Sequence, residues 1–145
     1  MDEEQYRETY QQINSLPCVF EHAILRRCGT CESAQHLNIA EREAVKCLSE
    51  ALREDCKEFL AIIHEKSAFA IGQQTPGEKL PFGKEIKIQC GSIAGLRNAL
   101  DKDGEDLGIH TLILNATTAS GDINNLPFEK IIRDISAFTS RRRKS

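Results

Sequence analysis

Glu85-Ile86-Lys87-Ile88-Gln89-Cys90 alternates polar and apolar side chains with a period of two, the pattern of a strand with one face buried. Gly91 ends the run, and Ser92 is placed to cap a short helix from Ile93 to Leu100. Thr111-Leu112-Ile113-Leu114 is a continuous β-compatible stretch and reads as a second strand. Pro127 is placed to open a last helix through Ile131, Ile132, Ile135 and Phe138. Strand, helix, strand, helix in that order predicts a small sheet backed by helices, right-handed in its crossover if the strands are parallel.

Working back from this stretch, residues 73–83 hold two prolines and two glycines and read as a connector. Ahead of it the composition favours helix almost throughout. Asp2 to Asn14 suits a first helix with acidic residues at its positive end, stopped by Asn14-Ser15 and Pro17. A second is expected over Cys18 to Arg27, broken at Gly29, with helical pattern resuming near Glu32 and again after Asn38 as an N-cap. Leu52, Cys56, Phe59 and Ile63 then recur at four- and three-residue steps, a buried helical stripe. The expected class is α+β: a helical, cysteine-bearing portion over 1–72, the connector 73–83, a small α/β portion over 84–140 and a basic tail over 141–145.

A chain of 145 residues can bury one ordinary core without covalent staples. Its start is acidic and polar, without the apolar core of a secretion signal, and no apolar run is long enough for a membrane span. A cytoplasmic protein is expected, in a compartment where thiols stay reduced. The net charge of −3 gives no general attraction for nucleic acid, and the aromatic content is too low for base-stacking platforms. Only Arg141-Arg142-Arg143-Lys144 is strongly basic, and another protein is the expected partner.

The cysteines carry the chemistry. Five of six, Cys18, Cys28, Cys31, Cys47 and Cys56, fall within 39 residues, and Cys90 stands apart. Thiolates are soft ligands, and Cys28-Gly29-Thr30-Cys31 is a Cys-x-x-Cys turn on which two sulfurs can converge on one ion. This predicts a metal-binding protein holding zinc or an iron–sulfur cluster, with Cys28 and Cys31 first among the ligands, then Cys18 and Cys47, then Cys56. His22, four residues after Cys18, offers a zinc set of Cys18, His22, Cys28 and Cys31. Cys47 and Cys56 are nine residues apart, half a turn out of phase on a straight helix, so either the helix breaks near Leu48-Ser49 with Ser49 as a new cap, or one is not a ligand. Cys56 also sits on the apolar stripe, where a cysteine serves as a small buried hydrophobe.

Two other classes fit the same residues: a metal-free interaction or regulatory module with core cysteines, and a thiol redox protein using Cys28 and Cys31. No assembled set of catalytic residues is recognisable. Cys90 to Arg97 resembles the phosphate loop of cysteine phosphatases, but six residues separate cysteine and arginine here instead of five, and packing through small glycines is the stronger reading. Asp101-Lys102-Asp103-Gly104-Glu105-Asp106 is rich in carboxylates, yet its glycine falls too early for a calcium loop, and a solvated turn is expected.

Overall fold

Asp2 starts the first helix, α1 (Glu3–Ile13), with a reciprocal cap: its carboxylate accepts the Gln5 N–H at 2.7 Å while the Gln5 side chain accepts the Asp2 N–H. The computed structural model describes residues 2–73, 79–101 and 107–139. Residues 74–78 of the expected connector, residues 102–106 of the expected carboxylate-rich turn and the basic tail over 141–145 lie outside these.

The second helix is only α2 (Glu21–Leu25), shorter than the stretch from Cys18 to Arg27. The cause lies in the residues before it. Cys18 donates its N–H to Val45 O at 3.0 Å, Cys47 donates to Leu16 O at 2.8 Å, and Pro17 forms a bridge with Lys46. The backbone around Pro17 is therefore extended, held along a neighbouring strand.

That strand belongs to a hairpin where helix was expected. β1 (Ala34–Ile39) and β2 (Arg42–Cys47) pair antiparallel, in a register running from Ala34 opposite Cys47 to Ile39 opposite Arg42. Asn38, expected as an N-cap, pairs with Glu43. Ala40 in the turn takes a left-handed φ of 57°, a place where Gly or Asn is usual, so the familiar hairpin signature is missing from the sequence.

Ser49 caps α3 (Glu50–Ser67), accepting the Leu52 N–H at 3.2 Å, and because Cys47 ends a strand, no helix spans Cys47 and Cys56. Cys56, Phe59 and Ile63 of the expected stripe are buried on α3 together with Leu60, while Leu52 is half-buried. The remaining elements are all helical: α4 (Phe82–Ala99), α5 (Ile109–Ser120), a 3₁₀ turn at Ile123–Asn125, and α6 (Phe128–Ala137).

Both expected strands are thus overturned: Glu85 to Cys90 lies in α4, and Thr111 to Leu114 in α5. The α+β class holds, with its sheet in the cysteine-bearing portion. The reason is burial. α4 is packed on nearly every side, hiding Ile86, Ile88, Gln89, Cys90, Ile93 and Leu96, and a helix buried all round need not show one clean apolar stripe. Its Ile88, one step out of the helical pattern, supplied the false period of two. In α5 the buried residues are Ile109, Leu112, Ile113 and Ala116, at helical spacing that a four-residue window cannot reveal.

One apolar cluster unites these elements. Phe20 and Phe59 stack with ring centroids 6.3 Å apart, and Ile63, Ile93, Leu96, Leu112, Ile131 and Ile135 complete the centre. α4 and α6 cross closely because Gly91 and Gly95 face Ile135 and Ile131: a Cβ at either glycine would meet the Cα of the isoleucine at 2.6 and 2.8 Å. Packing through small glycines, expected for the Cys90 to Arg97 stretch, is what the helix uses.

Candidate functional site

Cys28 follows α2, and its sulfur is bonded to that of Cys90 in the middle of α4, with Cα atoms 5.5 Å apart across a sequence separation of 62. Three further contacts hold this junction. Cys28 N–H donates to Ala23 O at 2.8 Å, Arg97 Nη1 donates to Cys28 O at 3.0 Å, and Ala23 N–H donates to the Gln89 side chain at 3.1 Å. The two sulfurs differ in access. Cys90 is only 2 % exposed within the core, whereas Cys28 is half-buried and lines a surface cleft with Arg27, Thr30, His36 and Arg97. Arg97 lies two helical turns beyond Cys90, on the same face, so its partner at this junction is the Cys28 carbonyl and no anion loop is needed to explain it.

The four remaining thiols, Cys18, Cys31, Cys47 and Cys56, are unbonded and line one narrow cavity. The hairpin brings them together: Cys47 ends β2, Cys31 precedes β1, Cys18 lies against β2, and Cys56 comes up from α3. Burial pushes the Cys18 thiol up to about 11 and the Cys56 thiol up to about 12, so both remain protonated near neutral pH. Cys47 donates from Sγ to Ser49 O at 3.1 Å.

These placements overturn the expected metal-binding function. Among the described residues, no group of three or more His, Cys, Asp or Glu side chains is arranged to hold a metal ion. Cys28, first among the expected ligands, has its sulfur committed to Cys90, which also separates it chemically from Cys31. Cys18, Cys31, Cys47 and Cys56 share a cavity without forming a chelating group. His22 lies elsewhere, edge-on to Phe82 with ring centres 4.9 Å apart. The disulfide likewise departs from the expectation that every thiol is reduced.

Two polar pairs had no signature in the sequence. His110 Nε2 lies 2.9 Å from Asp55 Oδ2, and His110, with a side chain only 14 % exposed, also lines the thiol cavity. These residues are 55 positions apart, beyond any short-range pattern. His64 Nε2 lies 3.0 Å from Glu85 Oε1, and Gln89 Nε2 donates to Glu85 Oε2 at 2.9 Å. Burial alone would raise the Glu85 carboxyl, but the bonds from His64 and Gln89 and the nearby His64 charge outweigh it and hold it below its ordinary value.

Compared with protein-family models, with curated proteins and with solved structures, the chain matches none. No helix among the described residues is long and apolar enough to cross a membrane.

Proposed function

We propose that this chain is a thiol–disulfide exchange protein whose exchanging bond is Cys28–Cys90. The observation that carries the reading is the unequal access of the two sulfurs: Cys28 lines an open cleft, and Cys90 is buried. Exchange needs a thiolate to approach a disulfide sulfur in line with the bond, so direction is set by which sulfur can be reached. An incoming thiolate bonds to Cys28 Sγ, the sulfur–sulfur bond breaks, and Cys90 leaves as the thiolate. The return of Cys90 to Cys28 expels the incoming thiol and restores the starting bond. Arg27 and Arg97 at the cleft favour an anionic attacking group. The partner is a protein or peptide with an exposed thiol.

The test is incubation of the native full-length protein in graded glutathione buffers, followed by acid quench and mass mapping of every cysteine. Reversible opening, with glutathione on Cys28 and none on Cys90, is the expected result. A bond that stays closed in the native protein under buffers that reduce it after unfolding would mark it as a structural staple and end the exchange reading. The staple is the second reading, favoured by the burial of Cys90 in the core.

A further inference from the structure

Cys18, Cys31, Cys47 and Cys56 line a cavity of about 20 Å³ together with the apolar side chains of Phe20, Leu52 and Ile109. That is room for a single water-sized molecule. A bulky electrophile is kept out by size, while a small neutral one can enter. The start of α5 bounds the cavity: Ile109 N–H donates to Thr30 O at 2.7 Å, and a Cβ on Gly108 would lie 3.3 Å from Cys31 Cα. This contact sets Cys31 beside the helix turn that carries His110. Cys31 shares this cavity with Cys18, Cys47 and Cys56 and is less buried than Cys47 or Cys56, which makes it the more accessible thiol of the three. His110 lines the same cavity, its ring held by Asp55 with Nε2 2.9 Å from Asp55 Oδ2.

We propose that this cavity is a hydrogen peroxide site in which Cys31 is oxidised and then closes a disulfide with Cys18 or Cys56. The Cys31 thiol passes its proton to His110, and its sulfur bonds to one peroxide oxygen as the O–O bond breaks. The departing hydroxide takes the proton from His110 and leaves as water, so Cys31 becomes a sulfenic acid. The sulfur of Cys18 or Cys56 then bonds to the Cys31 sulfur. The S–O bond breaks, and the hydroxyl leaves as a second water with the thiol's proton. Two thiols supply the two electrons that reduce one peroxide. This site is separate from the Cys28–Cys90 bond and does not depend on its exchange.

The experiment treats full-length protein with one equivalent of hydrogen peroxide, or of cumene hydroperoxide, and maps disulfides after alkylation of the remaining thiols. The expected product is a dithiothreitol-reversible disulfide from Cys31 to Cys18 or Cys56, formed at least roughly tenfold faster with hydrogen peroxide than with the bulky oxidant. His110→Ala, with an unchanged circular dichroism spectrum, should slow it at least roughly tenfold, the low side of what a positioned acid–base group contributes. A Cys31 that is recovered as a free, alkylated thiol, a new disulfide that omits it, or equal rates with the two oxidants overturns the proposal. Cys28→Ser/Cys90→Ser separates it from exchange, since the cavity reaction should persist there. If that variant does not fold, the wild-type map decides, because the Cys31 disulfide should appear while the Cys28–Cys90 peptide pair remains intact.

Discussion

Cys28 and Cys90 are joined across 62 residues, so one bond ties the turn after α2 to the centre of the most buried helix. A cross-link closing so long a loop restricts the unfolded chain strongly. Reduction, or Cys28→Ser/Cys90→Ser, should therefore lower stability by about 2–4 kcal/mol. Urea unfolding with and without dithiothreitol checks this: the midpoint should fall in reductant for the wild type and should not move for the double variant. Equal wild-type midpoints in both buffers would show that the bond contributes nothing to the fold.

Gly91 and Gly95 present a different kind of constraint. Alanine is the better helix former by about 1 kcal/mol, so in an exposed helix either substitution would stabilise. Here the added methyl would meet backbone atoms of α6 at 2.6 Å from Ile135 and 2.8 Å from Ile131. Backbone cannot swing aside as a flexible side chain can, and separating the helices opens the core around Ile93 and Leu96. Gly91→Ala and Gly95→Ala should each destabilise by about 1–3 kcal/mol net. Gly83→Ala, with nothing within 4 Å of the added atom, is the matched control and should not.

The same two glycines show what the sequence allowed. Helices with clear end signals or a distinct inner face were legible: Asp2 to Asn14 from its acidic start and its stop before Pro17, although it buries no residue, the Leu52-Cys56-Phe59-Ile63 stripe behind Ser49, and the Pro127-led final helix that buries Ile131 and Ile135. α4, buried on nearly every side through its middle, was not, because Ile86 and Ile88 are both inside and the alternation they create mimics a strand. The hairpin escaped for the opposite reason: its strands are built from Ala, Glu, Arg and Lys among the apolar residues, its turn from Ala40-Glu41, and pairing supplies what local preference does not. At the site, the spacing put Cys28 first and gave no reason to group Cys47 with Cys56, yet Cys18, Cys31, Cys47 and Cys56 line one cavity because the hairpin carries Cys47 to α3. The bond from Cys28 to Cys90 was not legible either, since it depends on how α2 meets α4.

Glu85 joins three helices, taking His64 of α3 and Gln89 of its own helix, while Gln89 in turn accepts from Ala23 of α2. Its folded-state carboxyl is held below the ordinary 4.5, so the unfolded chain binds a proton first as the solution is acidified. The stability it contributes is present above about pH 4.5 and is lost as pH falls through the lower folded-state value. Glu85→Gln should flatten this part of the profile of stability against pH between neutrality and strong acid. Unchanged acid dependence in the variant would place the acid sensitivity elsewhere.

Cys18 and Cys56 make the complementary prediction at high pH. Burial raises their thiols from 9.0 to about 11 and about 12, so between these values the unfolded chain has released protons that the folded protein still holds. Unfolding then becomes easier as pH rises: the stabilisation is complete below about pH 9 and is lost through the folded-state values. Cys56→Ala removes one of the two titrating groups and should make the alkaline decline shallower, even though the smaller side chain lowers stability at neutral pH. Mapping iodoacetamide labelling at pH 8 gives an independent check. In the native protein Cys18 and Cys56 should label at least tenfold more slowly than in the unfolded chain, because only the thiolate reacts. Equal native and unfolded rates would mean that the cavity neither buries these thiols nor keeps them protonated.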